Sequence, residues 1–366
     1  MTNGARITGL IALAMMVGGN AEPVGKLCRT ATAVLPKLAC VESAHGVVLA
    51  GDTARAQRLL ELADAGVGRF KEYFGRQALR YAIAEGPDAI VPAETIAALR
   101  KAGFKVVLPW LSEKVFREQT ENSIRRAVTA QMAGKPPEAI EAAVQAGLKH
   151  EQDSPKRKEA GLGAVPHELG HDWYRIGYWP DAPLSEAKHY GGPGPDWLDE
   201  MSAVLMEAPE MFGERVKQFS KRYASYRADP ASADANTKLM LDLPNFFSEI
   251  HPISEQVRAL TQLRRAQGNK DALIMLAGEE ARKLAEGGVR FYLQSAVASQ
   301  YLIDRTGNRQ IFARIAEAFA RGDTMAGWLA NKEPKGKLPR DLKALQADWL
   351  NWLEQRFPAE PAKAAA

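Results

Sequence analysis

With 366 residues, 46% of them hydrophobic and 25% charged, the chain has the make-up of a soluble globular protein of one large or two modest domains. Its net charge of +4, from 48 basic and 44 acidic residues, is spread along the chain. The densest basic cluster, Lys156-Arg157-Lys158, runs straight into Glu159 and reads as a solvated face, which excludes nucleic acid as a partner.

At the N-terminus, Arg6 precedes an apolar run from Ile7 to Val17, and the small residues Gly19 and Ala21 follow. That order predicts a secretory leader over residues 1–21, with a buried N-terminal helix as the alternative. The run is too short to span a bilayer stably, and no later segment is long and apolar enough. Export to a periplasmic or extracellular space is therefore expected. Cys28 and Cys40 are the only cysteines. In an oxidising compartment they are expected to pair, the alternative being two free buried thiols.

Downstream, Val47–Ala50 is a short apolar run, and Thr53 to Phe74 has helical periodicity ended by Gly75. Leu79–Ala84 alternates like a strand and stops at Gly86-Pro87. A helix over 93–102 leads into a second strand candidate at Lys105–Pro109. Residues 112–149 are helix-forming, interrupted at Gly134-Lys135-Pro136-Pro137. From Pro166 onward the pattern is helices joined by Gly/Pro loops. The expectation is an α+β chain: leader 1–21, mixed α/β lobe 22–155, helical lobe 156–357 and disordered tail 358–366.

The helical part opens with His167-Glu168-Leu169-Gly170-His171. Pro166 suits the first position of a helix running to about Ile176. On that helix His167 and His171 stand one turn apart on one face, so both imidazoles can reach one ion. Glu168 lies next to that face, placed to take a proton from a water held by zinc. A third ligand is suggested by Asp196-Trp197-Leu198-Asp199-Glu200, where Asp196 reads as an N-cap and Glu200 falls in the first helical turn. Glu200 is favoured over His189, which sits in a glycine-rich loop, and over Asp199. Glu207, seven residues on, either orients a ligating histidine or is solvated, and the solvated reading is preferred. His45, His150 and His251 lack ligand-like neighbours and read as structural or surface residues.

HELGH followed by a Trp-Leu-x-Glu helix resembles the gluzincin zinc metallopeptidases, in particular the branch with aminopeptidase-like catalytic domains. The segment Phe291-Tyr292-Leu293-Gln294-Ser295-Ala296, with Gly307 beyond, is similar to that family's tyrosine-bearing helix. The resemblance covers roughly residues 160–355. It implies a two-lobed domain, a mixed α/β lobe and an all-helical lobe with the zinc helix at their junction. It also implies zinc on His167, His171 and Glu200, with Glu168 as base. Tyr292 is implied as the donor to the oxyanion, the alternative being a core aromatic. No Gly-x-Met-Glu-Asn segment occurs, so the resemblance does not extend to recognition of a substrate amino terminus.

The resulting expectation is an exported zinc peptidase acting on peptide or protein substrates. Two alternatives stay open at this point: a catalytically silent zinc-binding module of the same fold, and a hydrolase of non-peptide amides or esters. Against the silent module, a purely structural zinc has no need of Glu168 and would be expected to carry four protein ligands.

Overall fold

The computed structural model describes residues 25–86, 91–152, 155–181, 192–252, 278–331 and 337–358. The expected leader 1–21, His189 and the tail from residue 359 lie outside the described residues, as do the side chains of 151–161, which include the basic cluster.

Four strands, β1 (Ala39–Glu42), β2 (Gly46–Ala50), β3 (Tyr81–Gly86) and β4 (Val106–Leu111), form one sheet in that order. A hairpin makes β1 and β2 antiparallel, while β2, β3 and β4 run parallel. Parallel neighbours need a crossover, supplied by α2 (Thr53–Phe74) between β2 and β3 and by α3 (Ala93–Lys101) between β3 and β4. Both faces of the sheet are covered, so β2 and β3 are buried throughout. Alternation sends Val47, Leu49, Ala82, Ala84 and Val107 to a small core with Cys28, Ala31, Leu99 and Phe104. It sends Val48, Ala50, Tyr81, Ile83 and Val106 to the main core. The proline of β4, Pro109, pairs on one side only: β4 is the last strand of the sheet, where a missing N–H is tolerated.

The strand expected at 79–84 begins two residues later, and β1 was not anticipated. Its sequence Ala-Cys-Val-Glu is half-buried throughout and carries no strong alternation. Cys28 of α1 (Lys26–Thr32) and Cys40 of β1 form the expected disulfide. Helix α2 ends as its sequence predicts, with Gly75 closing it at φ 64°, and at its start the Asp52 carboxylate accepts the Arg55 N–H. The helix-forming stretch after β4 becomes α4 (Glu113–Gln131) and α5 (Pro137–Gln152), split at the expected Gly/Pro break.

Helix α6 (Pro155–Tyr178) corrects the reading of Pro166 as a helix start: the proline lies inside the helix. An interior proline typically costs about 3 kcal/mol through a lost bond and a ring clash. Here the ring is buried against α2, where Gly66 leaves room; a Cβ at Gly66 would stand 2.9 Å from the Pro166 Cβ. The remaining helices among the described residues are α7 (Asp196–Met206), α8 (Pro209–Ala228), α9 (Ala235–Met240), α10 (Leu243–Phe246), α11 (Gly278–Thr306), α12 (Ile311–Ala320), α13 (Met325–Asn331) and α14 (Leu342–Arg356). Helix α6 packs against both α2 and α7, and α7 against α11. One continuous apolar core runs from Val48 and Leu59 through Trp173 and Trp197 to Trp349. The architecture is thus mostly helical around a four-stranded sheet.

Candidate metal centre

The centre forms where α6 crosses α7, and the glycine of HELGH sets how closely they approach. A Cβ on Gly170 would lie 2.9 Å from the Ala203 Cα and 3.0 Å from the Ser202 carbonyl oxygen. Ser202 Oγ also donates to the Gly170 carbonyl, at 3.1 Å. Small residues on both helices let the backbones touch. His171 and Glu200 flank that contact.

His167, His171 and Glu200 are buried, and each offers one ligand atom within 4.8 Å of the other two. Nε2 of His167 stands 3.6 Å from Glu200 Oε1, and Nε2 of His171 stands 3.9 Å from Glu200 Oε2. Two imidazole nitrogens and a carboxylate oxygen converging in this way can hold a metal ion. The Nδ1 atoms are occupied on the far side. His167 Nδ1 lies 2.8 Å from Glu207 Oε1, and His171 Nδ1 lies 2.9 Å from Asp199 Oδ1. With Nδ1 donating to a carboxylate, each ring is fixed with Nε2 directed inward.

Three sequence expectations change here, for Glu207, Asp196 and His251, while Asp199 stays outside the ligand set as expected. Glu207 is buried rather than solvated: α7 ends at Met206, and Glu207 turns inward in extended conformation to meet His167. Asp199 supports His171 and is absent from the ligand cluster. Asp196 is the first residue of α7, not its cap; Pro195 stands at the cap position, and Asp196 Oδ2 accepts the His251 N–H at 2.8 Å. His251, read as structural or surface, is buried, with Nε2 3.8 Å from Glu200 Oε2.

The electrostatics follow from this crowding of carboxylates. Burial disfavours a charged His171, but Asp199, Glu200 and Glu168 outweigh it and push its pKa up to about 10. The same negative field favours a bound cation. Burial also works against ionised Glu207, yet hydrogen bonds from His167 and Arg215 hold its carboxyl below the usual range. At His251, burial and then the neighbouring positive charge of His171, Arg290 and His167 push the pKa down to about 3.

Glu168 is half-buried on α6, near enough to His171 to contribute to its charge balance. The ring of Tyr292, on α11, meets the His167 ring edge-on with centroids 5.8 Å apart, and the His251 ring at the same distance. So the fold brings His167, Glu168, His171, Glu200 and Tyr292 into one neighbourhood. Sequence reasoning missed His251 and Arg215. Neither has a local signature, since Arg215 comes from α8 and His251 from the segment after α10, both distant in sequence from the two histidines. No protein-family model, curated protein or solved structure matches this chain.

Proposed function

We propose that the protein is an exported zinc-dependent peptidase of the gluzincin plan, with a mixed α/β lobe, a helical lobe and the zinc helix α6 between them. The observation that carries this reading is the buried His167–His171–Glu200 cluster, with both Nδ1 atoms committed to carboxylates and Glu168 adjoining. Two imidazoles and one carboxylate are a donor set that suits zinc, and three protein ligands leave a position for chemistry. When bound, zinc supplies Lewis acidity and a water acidic enough to lose its proton near neutral pH.

The chain's own groups supply the rest. Glu168 accepts the proton of the attacking water and returns it to the leaving amine. The Tyr292 phenol donates to the oxygen that becomes negative as the amide carbon turns tetrahedral. Glu207 and Asp199 hold His167 and His171 in the tautomer with Nε2 free. Substrate is a peptide or protein, and no nucleic-acid partner is assigned. Export is supported by the Cys28–Cys40 disulfide, a bond characteristic of oxidising compartments. Among the described residues no helix is long and apolar enough to cross a membrane.

The test is metal content together with hydrolysis of a peptide and ester panel. Wild type is expected to carry one zinc per chain, Glu200→Ala to lose it, and Glu168→Gln to keep it while cleaving nothing. Retained hydrolysis in Glu168→Gln would end the assignment of that residue as base. Absence of zinc from the wild type would end the metallopeptidase reading. Cleavage of esters alone would move the substrate class away from peptides.

A further inference from the structure

Arg215, on α8, touches two parts of the centre that no single sequence motif connects. Its guanidinium forms a fork on Glu207: Nε donates to Oε2 at 2.6 Å, and Nη2 donates to Oε1. That same Oε1 is the partner of His167 Nδ1. The guanidinium carbon also lies 4.9 Å from the centroid of the Tyr292 ring. The Arg215 side chain is 20% exposed and that of Glu207 is fully buried, so the pair is largely withdrawn from water.

We propose that Arg215 is a positioning residue, holding His167 through Glu207 and fixing the Tyr292 ring through its guanidinium face. The proposal rests on the zinc peptidase reading for its catalytic consequence. Two physical requirements meet in this one side chain. A buried carboxylate whose only partner is an imidazole N–H would be free to rotate about its own χ angles, and the fork removes that freedom. A planar cation over an aromatic face also restricts the tilt of the ring, which sets where the phenol oxygen points. Lysine could neutralise Glu207 but could not supply both the fork and the flat face. Arg215 hydrogen-bonds to Glu207 and lies over Tyr292, and it feels the charge of Glu200 without a hydrogen bond to it, so its positioning effect runs through Glu207 and Tyr292.

The experiment uses the full chain labelled with 3-fluorotyrosine, comparing wild type, Arg215→Lys, Arg215→Met, Glu207→Gln and the Glu207→Gln/Arg215→Met double variant. Zinc affinity is read by competition with a chromophoric chelator, the cobalt-substituted centre by its visible spectrum, and Tyr292 by its fluorine resonance, assigned with Tyr292→Phe. Arg215→Met should weaken zinc roughly 10- to 100-fold, the usual effect of losing a group that orients a ligating histidine. Arg215→Lys should recover only part of that loss. On the Glu207→Gln background Arg215→Met should add little, since both act along one route. The Tyr292 resonance should shift or broaden in both Arg215 variants. If wild type binds zinc and Arg215→Met binds it equally tightly with an unmoved resonance, the proposal fails. Full additivity with Glu207→Gln would also overturn it. Should Arg215→Met prove unfolded by circular dichroism, Arg215→Lys decides on the same readouts. A wild type that takes up no zinc would instead refute the metallopeptidase reading, and the fluorine resonance would still judge the contact between Arg215 and Tyr292.

Discussion

Gly170 of α6 and Ala203 of α7 meet backbone to backbone, with 2.9 Å between a Cβ built on the glycine and the Ala203 Cα. The helix crossing that carries His171 and Glu200 therefore has no room for a side chain at position 170 unless the helices shift. On an exposed helix, Gly→Ala would add up to about 1 kcal/mol of stability. Here the extra methyl should push the helices apart and cost about 1–3 kcal/mol, as overpacking of a dense core usually does. Gly170→Ala is expected to lower the urea midpoint and to weaken the proposed binding of zinc together. A variant as stable and as tight-binding as wild type would show that the close approach imposes no constraint.

Asp199 holds His171 as Glu207 holds His167, and its removal separates metal affinity from folding. On the proposal that the site holds zinc, Asp199→Ala is expected to weaken its binding about 10- to 100-fold, whereas Asp199→Asn, whose amide oxygen can still accept from Nδ1, should fall at the mild end. Both variants should keep the wild-type circular dichroism spectrum. Equal affinity in wild type and Asp199→Ala would remove this residue from the support of the centre.

How far the site could be read in the sequence depends on how local each relationship is. His167 and His171 were legible because helical geometry alone places residues four apart on one face. Glu200 needed a tertiary contact, and it was reached only through a motif whose context suggested a second helix. Glu207 was misread because helical extrapolation treats it as one more exposed acid, whereas the helix stops at Met206 and the chain turns inward. His251 and Arg215 arrive from separate parts of the chain, so no spacing in the sequence relates them to the histidines. In the fold, α2 announced itself through its cap and periodicity, while β1 has four half-buried residues and no pattern strong enough to see. Pro166 misled for a physical reason: an interior proline is rare in helices, and here its ring packs where Gly66 of another helix leaves room.

The Cys28–Cys40 disulfide ties α1 to the edge strand across a sequence separation of 12 residues. Closing a loop of that size in the unfolded chain corresponds to about 3 kcal/mol of stability. The Cys28→Ala/Cys40→Ala variant, compared with oxidised wild type in urea, should lose an amount of that order. Wild type in reductant should move toward the variant, and the denatured, unreduced protein should show no free thiol. An unchanged midpoint in reductant, or titratable thiols before reduction, would contradict the bond's structural role.

Two buried tyrosines away from the centre predict how the protein responds to alkali. Tyr301 donates to Asp348 Oδ2 at 2.8 Å, and Tyr81 donates to Asp64 Oδ1 at 2.7 Å. Burial and then the carboxylate partner raise both phenol pKa values well above the ordinary one. Below the unfolded value of about 10, folded and unfolded chains alike hold these protons, and stability is independent of them. Above it the unfolded phenols ionise while the folded ones do not, so each tyrosine withdraws up to about 1.4 kcal/mol of stability per pH unit. Unfolding free energy should thus fall steeply from about pH 10 upward. Tyr301→Phe and Tyr81→Phe should each be less stable than wild type at neutral pH, having lost a hydrogen bond, yet each should lose stability more gradually in alkali. Urea titrations at several pH values between about 8 and 12 would measure that slope. A slope identical in wild type and the double phenylalanine variant would mean that these phenols ionise alike in the folded and unfolded chains.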